Sequence, residues 1–523
     1  MSRAIHDASK FASDLTLDTD AVVVGTGAGG GTAAEILARA GLRVVLLEEG
    51  AHRAAADFTL READAFSELY YDGANRTTKD GAIAILQGRT VGGSTTVNWT
   101  ATFRTPDEVL HHWASAHGVR GLDPAELAPW FERMERRLNV APWKLAPNEN
   151  NEVLARGCAK LGYLHEVIPR NVDQCRNLGA CGLGCPVNAK RSMLVTTVPG
   201  ALDAGATLIT RCRAERVILR RGKASGVEAV ALDARGVYPT GRKVTVNARV
   251  VVAAGGGINT PGLLLRSNVP DPHGRLGKRT FIHPVLVSVA DMPGAVDGWQ
   301  GAPQSVYSDQ FLWRDGIAGR VGYKVEAAPV YPMLFMSLAG RMGKGHLEHA
   351  ATRYRNSQVL VALLRDGFHV ESPGGSVMLR DDGSPVLDYA MNRYLWEGAY
   401  GAWASMAEIQ FAAGAREVLP LHSDAHPYTS LAQARSAIDS LPSNAMGAAI
   451  FSAHVMGGCA MGGEASSSVV DSDGRHYQVE NLYVIDGSVF PTSLGVNPQM
   501  SIYGLAARNA TRLALLLGGN ARN

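Results

Sequence analysis

Cysteine is scarce in this chain, with 6 residues in 523, too few for a disulfide scaffold. Charge of one sign is missing as well. Lysine and arginine total 51 against 49 aspartates and glutamates, a net charge of +2. No long Lys/Arg block offers the phosphate neutralisation that a general nucleic-acid binder needs. No stretch reads as about 18 consecutive apolar residues, so no membrane-spanning segment is expected. The nearest, Leu441–Gly463, is broken by Pro, Ser, Asn, His and several glycines. The N-terminus, MSRAIHDASKFASDLTLDTD, lacks the apolar core of a secretory signal. The expectation is therefore a cytoplasmic protein, with periplasmic export beside a signal-bearing partner as the alternative. Internal repeats and low-complexity linkers are also absent.

Glycine, in contrast, is abundant: 58 residues, about 11% of the chain against about 7% in average proteins. The glycines are not periodic, so their placement carries the information. Residues 20–50 read DAVVVGTGAGGGTAAEILARAGLRVVLLEEG. Ala21–Val24 is a short apolar strand, an Ala/Leu-rich helix follows to about Ala40, and Val44–Leu47 is a second buried strand. The turn between strand and helix carries Gly25-x-Gly27-x-x-Gly30. In such a βαβ unit the first glycine permits the tight turn and the second lets backbone approach a pyrophosphate. The third allows close helix–strand packing. The helix N-terminus faces the phosphates, and Glu48, in register about 20 residues on, suits a ribose hydroxyl. The pattern predicts dinucleotide binding.

Further clusters follow. Gly88-Arg-Thr-Val-Gly-Gly-Ser-Thr-Thr-Val-Asn98 pairs glycines with hydroxyl residues, which suits a loop pressed on a planar ligand or a plain surface turn. The strand before Gly255–Gly257 imitates a second fingerprint, but Thr260 takes the third-glycine position and Pro261 follows, which argues against a separate NAD(P)H site. Residues 286–440 carry aromatics, prolines and hairpin cues at Ser372-Pro-Gly-Gly and Arg380-Asp-Asp-Gly-Ser, which predicts an antiparallel sheet. Leu395–Gly414 reads as the helix that returns the chain. Trp299, Tyr307, Phe311, Trp313, Tyr331 and Phe335 either line an apolar site or pack a core.

Half of the cysteines, Cys175, Cys181 and Cys185, fall within eleven residues as Cys-x5-Cys-x3-Cys-Pro. Three thiolates on a short glycine-rich loop suit iron–sulfur ligation. A disulfide with a spare thiol, or free thiols, also fit. Zinc would want a fourth ligand, and none is evident nearby. In the C-terminal block, His454 precedes a glycine-rich turn in FSAHVMGGCAMGG, and Asp486-Gly487 ends an apolar strand. Asn497 reads as the N-cap, and Pro498 as the first residue, of a long helix whose N-terminus would stabilise developing negative charge.

Taken in order, these motifs resemble those of the glucose–methanol–choline (GMC) flavin oxidoreductases over nearly the whole chain. Gly88–Asn98 is similar to the first family signature, AGGGINTPGLLLRS (Ala254–Ser267) to the second, and His454 with Asn497 to the catalytic pair. The HVMGGCAMG and GVNPQ forms are closest to the long-chain alcohol oxidase and cholesterol oxidase branches. The resemblance implies an α/β fold, a Rossmann-type FAD-binding domain interleaved with an α+β substrate domain on an antiparallel sheet. The corresponding boundaries are 1–140, 193–285 and 441–523 for the FAD-binding parts, 286–440 for the substrate domain and 141–192 for a cysteine-bearing insert. FAD would be held by Gly25, Gly27, Ala28, Gly29, Gly30, Glu48 and Ala214. Contacts to its flavin would come from Gly92, Gly93, Ser94, Asn98, Asp486, Gly487, Pro498 and Gln499.

On the same grounds, a carbinol hydride passes to flavin N5, with His454 as general base and Asn497 on the substrate oxygen. His283, in FIHP, matches a family pattern but reads as structural. The cysteine spacing resembles that of FAD-dependent glucose and fructose dehydrogenase large subunits, where three cysteines hold a 3Fe-4S cluster. That would make the chain a dehydrogenase with a protein acceptor or small subunit as partner. Without a cluster, dioxygen would be the oxidant for a small-molecule alcohol. A lyase-like flavoprotein is the non-redox alternative, and an NADH-linked reductase is disfavoured by the broken second fingerprint.

Overall fold

The architecture is that of a computed structural model, described over residues 3–520. Strand Leu15–Val24 begins as an alternating segment and ends in a buried Val run, as a strand does when it enters a sheet covered on both faces. It lies at the middle of a mixed sheet in the order Ala4–Asp7, Thr207–Thr210, Val44–Leu47, Leu15–Val24, Pro239–Ala253. Pro239–Ala253 is long enough to serve twice. Its last residues pair in parallel with Leu482–Val484, and its first half turns antiparallel against Lys223–Leu232, which pairs onward with Cys212–Arg220. Helix Ala28–Arg39 packs on this sheet and against the final helix, Gln499–Leu516.

Register decides what this sheet positions. Val24 pairs with Leu47 and Ala253, and Ala253 pairs with Val484. The parallel strands therefore finish together, and Gly25, Glu48, Ala254 and Asp486 emerge side by side at one edge. Ligands bind at the carboxyl ends of open parallel sheets for this reason.

The second sheet is largely antiparallel, in the order Ile83–Ile85, Ile450–Ser452, Val285–Asp291, Ser357–Leu364, Tyr323–Ala327, Val306–Phe311, Glu166–Val167, with Glu417–Pro420 also on Val285–Asp291. It takes strands from outside 286–440, and Ile83–Ile85 with Ile450–Ser452 is a parallel pair. Helix Arg393–Ala412 covers one face. It starts two residues before the expected Leu395 because the Asn392 side chain caps it, accepting from the Leu395 N–H at 3.1 Å. Arg380–Ser384 closes the hairpin Ser376–Leu379 with Pro385–Asp388. The Ser372-Pro-Gly-Gly cue is not a hairpin turn; it leads into the first strand of that hairpin, with Gly375 bridged to Thr280. The fold is thus a Rossmann-type sheet interleaved with an antiparallel one. Among the described residues, no helix is long and apolar enough to cross a membrane.

Candidate active site

One cavity of about 770 Å³ opens where the two sheets meet, within the usual range for ligand pockets. Gly25, Gly27, Ala28 and Gly29 line it, with Glu48 beside them. Gly25 has φ +101, a conformation that glycine adopts without strain, and a Cβ on Gly30 would stand 2.0 Å from the Gly25 carbonyl oxygen. Gly27 differs: the nearest atom to its missing Cβ is 4.0 Å away, so the backbone is open to a ligand there. Glu48 accepts from the Thr26 N–H and hydroxyl and from the Gly50 N–H. Burial raises its pKa against those bonds.

Gly93, Ser94, Asn98 and Ala214 also line the cavity, whereas Gly92 and Gly30 lie behind it. Gly92 (φ +89) donates its N–H to Thr26 at 2.9 Å and so ties the two glycine loops together. Asn98 donates to Gln499 Oε1 at 2.8 Å, but its own Oδ1 is buried with no partner. Gln499 is fully engaged, donating to the Ala101 carbonyl and to Thr102. Asp486 accepts from the Gly256 N–H and Thr260 Oγ1 on one oxygen and from Ser488 on the other. Thr260, the residue that breaks the second fingerprint, thus ties the Gly255–Gly257 loop to Asp486, and Ala254–Gly257 line the same cavity.

The far end of the cavity holds His454 and Asn497. Asn497 is not the helix N-cap. The helix runs Gln499–Leu516 without a side-chain cap, and the Asn497 amide instead donates to Glu326 Oε2 at 3.4 Å, leaving its Oδ1 buried and unpartnered. Burial lowers the His454 pKa to about 4, so the ring is neutral at neutral pH rather than near its ordinary value. His454 Nδ1 lies 3.3 Å from Nδ1 of His283, which is fully buried and therefore part of the site's scaffold.

Sequence reasoning missed Glu326. It is fully buried on strand Tyr323–Ala327, accepts from Gln304 at 2.5 Å, and has its other oxygen unpartnered. Burial, opposed by nearby Lys324, pushes its carboxyl up to about 7. Lys324 is itself sealed between the Phe103 and Tyr307 rings and bonded to Asp309. A Lys and a Glu two residues apart in an otherwise apolar strand were the available signal. The wall opposite the glycine loops is apolar, with Val285, Val361, Leu363 and Phe451.

None of the six candidate aromatics lines the cavity. Trp299 stacks on Tyr354 at 4.7 Å, Phe311 packs on Tyr323, Trp313 lies under Arg365, and the Tyr331 hydroxyl donates to the Gly179 carbonyl. They are packing residues.

The cysteine loop does not fit a metal centre. Among the described residues, no three His, Cys, Asp or Glu side chains are grouped so as to hold a metal, and Cys175, Cys181 and Cys185 are free thiols. Arg170 donates to Cys181 Sγ at 3.4 Å, Lys190 donates to the Cys181 carbonyl and the Asn98 carbonyl, and Tyr70 donates to the Gly182 carbonyl. These bonds fix the loop as a brace behind Asn98.

FAD, in contrast, fits. The open Gly27 backbone at a helix N-terminus suits a pyrophosphate, and the buried orphan oxygen of Asn98 needs a donor that the chain does not supply.

Known proteins give the family and the fold. Residues 66–285 and 371–506 match the N- and C-terminal models of the GMC oxidoreductase family. A long-chain-alcohol oxidase of Arabidopsis thaliana is 31% identical over 93% of this chain and 66% of its own length. A GMC-type oxidoreductase of Mycobacterium tuberculosis is 34% identical over 96% and 78%. This chain therefore spans about two thirds of the plant relative. Formate oxidase of Aspergillus oryzae RIB40 shares the fold, with a TM-score of 0.71 at 15% identity over 97% of this chain and 100% of that one. Pyridoxine 4-oxidase of Mesorbium loti gives 0.66 at 17% identity over 94% and 98%. The chain belongs to the GMC family of FAD-dependent oxidoreductases.

Proposed function

We propose that this chain oxidises primary alcohols with a bulky apolar chain to aldehydes, with dioxygen as the final electron acceptor. The observation that carries the reading is one cavity in which the apolar wall Val285, Val361, Leu363 and Phe451 meets the polar pair His454 and Asn497 beside the glycine loops. The long-chain-alcohol oxidase relatives support the substrate class and the oxidase reading.

Bound FAD supplies a two-electron acceptor for the carbinol hydride. Everything else falls to the chain. Gly25–Gly29, Glu48 and Asp486 orient the cofactor, and the wall excludes water from the reacting carbon. His454 and Asn497 hold the carbinol oxygen, with Asn497 Oδ1 free to accept the hydroxyl hydrogen bond. Behind Asn497, Glu326 can hold a proton at Oε1, because its carboxyl titrates near neutrality.

Anaerobic mixing of the FAD-loaded protein with primary alcohols of increasing chain length should bleach the flavin band, faster with longer chains. No bleaching with any alcohol would sink the reading. Admitting air should then regenerate the oxidised flavin with one hydrogen peroxide per aldehyde. Turnover only with an added quinone or dye would assign a dehydrogenase instead.

A further inference from the structure

Arg76 is a buried cation whose partners are all neutral. It is 7% exposed and lines the cavity. Its Nη1 donates to Gln87 Oε1 at 2.9 Å and to Asn259 Oδ1 at 3.1 Å, and its Nη2 donates to the same Asn259 oxygen and to the Pro385 carbonyl. The centroid of the Tyr71 ring lies 4.9 Å from the guanidinium carbon. Among the described residues the Nε–H has no partner, and no carboxylate pairs with the charge. The carboxylates nearby serve elsewhere: Glu49 holds Arg89 and the Tyr71 hydroxyl, and Asp72 is exposed. A buried charge is costly unless an opposite charge meets it.

Arg76 stands where the glycine runs of the cavity meet. Gln87 precedes Gly88, and a Cβ on Gly88 would stand 2.7 Å from the Gly93 backbone, while a Cβ on Gly93 would stand 3.0 Å from Gly27 Cα. Gln87 Nε2 is also the nearest atom, at 3.9 Å, to the position of a Cβ on Gly256, which opens the helix Gly256–Arg266 that carries Asn259. Gly27, Gly88, Gly93 and Gly256 all line the cavity. The N-terminus of helix Ala28–Arg39 offers a ligand there roughly half a positive charge, whereas the diphosphate of FAD is negative on each phosphate. The other cations on the cavity wall are placed differently. Arg213 pairs with Glu215 at 2.8 Å, Arg266 is held by the Ala214 and Glu215 carbonyls on strand Cys212–Arg220, and Arg380 is exposed.

The turn that delivers Arg76 is itself unusual. Asp72, Gly73 and Ala74 follow one another at φ +52, +62 and +64, although left-handed residues ordinarily come singly, and such runs persist where the surrounding structure enforces them. We propose that Arg76 is a cofactor-binding residue whose charge balances the diphosphate of FAD. The proposal rests on FAD as the family's cofactor and not on which alcohol is oxidised. Its rival is a brace, in which the guanidinium merely joins Gln87, Asn259 and the hairpin at Pro385 and its charge is incidental.

Two variants separate charge from bracing. Arg76→Lys keeps the positive charge but gives up the planar fork that reaches Gln87 and Asn259 together. Arg76→Gln keeps an amide donor for those partners and gives up the charge.

The first measurement is the release of FAD from the loaded enzyme, followed as the rise in flavin fluorescence after dilution. A hydrogen bond to a charged group is worth about ten- to a hundredfold. Arg76→Gln should therefore release FAD at least about tenfold faster than the wild type, and Arg76→Lys within about threefold of it. The second is phosphorus NMR of the bound FAD, whose diphosphate signals should shift in Arg76→Gln, whereas loss of a remote brace leaves them in place. Wild-type release from Arg76→Gln, equal release from the two variants, or unshifted phosphorus signals in Arg76→Gln overturns the proposal. If Arg76→Gln does not fold, Arg76→Lys decides: release within about threefold of the wild type supports the charge, and release more than about tenfold faster overturns it. If no alcohol reduces the flavin, the functional reading falls while both measurements still decide the role of Arg76.

Discussion

Replacing Glu326 by Gln tests whether the carboxyl behind Asn497 is held protonated by the fold. Its ordinary value is 4.5, and burial carries it to about 7 in the folded chain. The folded state thus binds this proton more tightly than the unfolded state. The stability tied to it is complete below pH 4.5, is lost as pH rises toward 7, and is flat above. Each unit corresponds to about 1.4 kcal/mol, so integrating between pH 5 and pH 8.5 gives a loss of about 2.5 kcal/mol. An unfolding entropy of roughly 2.1 cal/mol/K per residue over this chain turns that into about 2 °C in Tm.

Gln keeps the size and hydrogen-bonding shape of the side chain and has no proton to lose. The difference Tm(Glu326→Gln) minus Tm(wild type) should therefore be about 2 °C larger at pH 8.5 than at pH 5, measured by calorimetry on FAD-loaded protein. Costs of the substitution that do not depend on pH cancel in this comparison, as do other titrating groups shared by the two proteins. An equal difference at both pH values would refute the reasoning. That outcome would show that Lys324 outweighs burial, because a carboxyl ionised in the folded chain titrates below pH 5 and leaves this window flat.

Gly29→Ala should release FAD, because a Cβ there would stand 1.8 Å from the Ile485 carbonyl oxygen and 2.9 Å from Asp486 Cα. Flavin fluorescence titration should show at least a tenfold weaker Kd, and wild-type affinity would contradict the packing of this turn. Burial holds His117, His454 and His476 each to about 4, so unfolded imidazoles gain protons below pH 6.5 that the folded ones refuse. Stability should fall between pH 6.5 and 4, and His476→Asn should recover up to about 2.5 kcal/mol at pH 4.5 in denaturant melts. Cys175, Cys181 and Cys185 changed together to Ser should leave FAD content and the rate of flavin reduction within about twofold, with no iron found by metal analysis in either protein.

What could be read from the sequence is what is local. The strand–glycine–helix turn at Val24–Gly30 needs only its own residues to form, and Glu48 lies one strand away in fixed register. Where a distant partner decides, local rules fail. Asn497-Pro498 has the form of a helix start, but Glu326, 171 residues away, takes the Asn497 amide. Lys324 and Glu326 alternate with apolar residues as an exposed strand face would, yet Phe103, Tyr307 and Gln304 close over them. The cysteine spacing is the same whether three sulfurs converge or a loop is braced; Arg170, Lys190 and the Tyr70 and Tyr331 hydroxyls decide the matter from outside the motif. His283, which reads as structural, is buried, and its ring accepts from the N–H groups of Leu494 and Gly495, more than 200 residues on, partners that no local pattern shows.

The placement of the polar pair explains why two sheets are interleaved rather than strung in series. His454 comes two residues after strand Ile450–Ser452 of the antiparallel sheet, and its neighbour Val455 packs so closely on Gly257 that a Cβ there would lie 2.8 Å away. Gly257 belongs to the helix that follows the parallel strand Pro239–Ala253. Asn497 precedes the helix that packs on Ala28–Arg39 of the cofactor sheet, and bonds to Glu326 of the other. Each member of the pair is thus anchored in both sheets, so neither sheet can shift without moving the pair relative to the glycine loops. The apolar wall has no such double tie, since Val361 and Leu363 belong to one strand of the antiparallel sheet alone. On the proposed alcohol reading, substrate length would vary through the wall while the pair keeps the geometry of the reacting atoms.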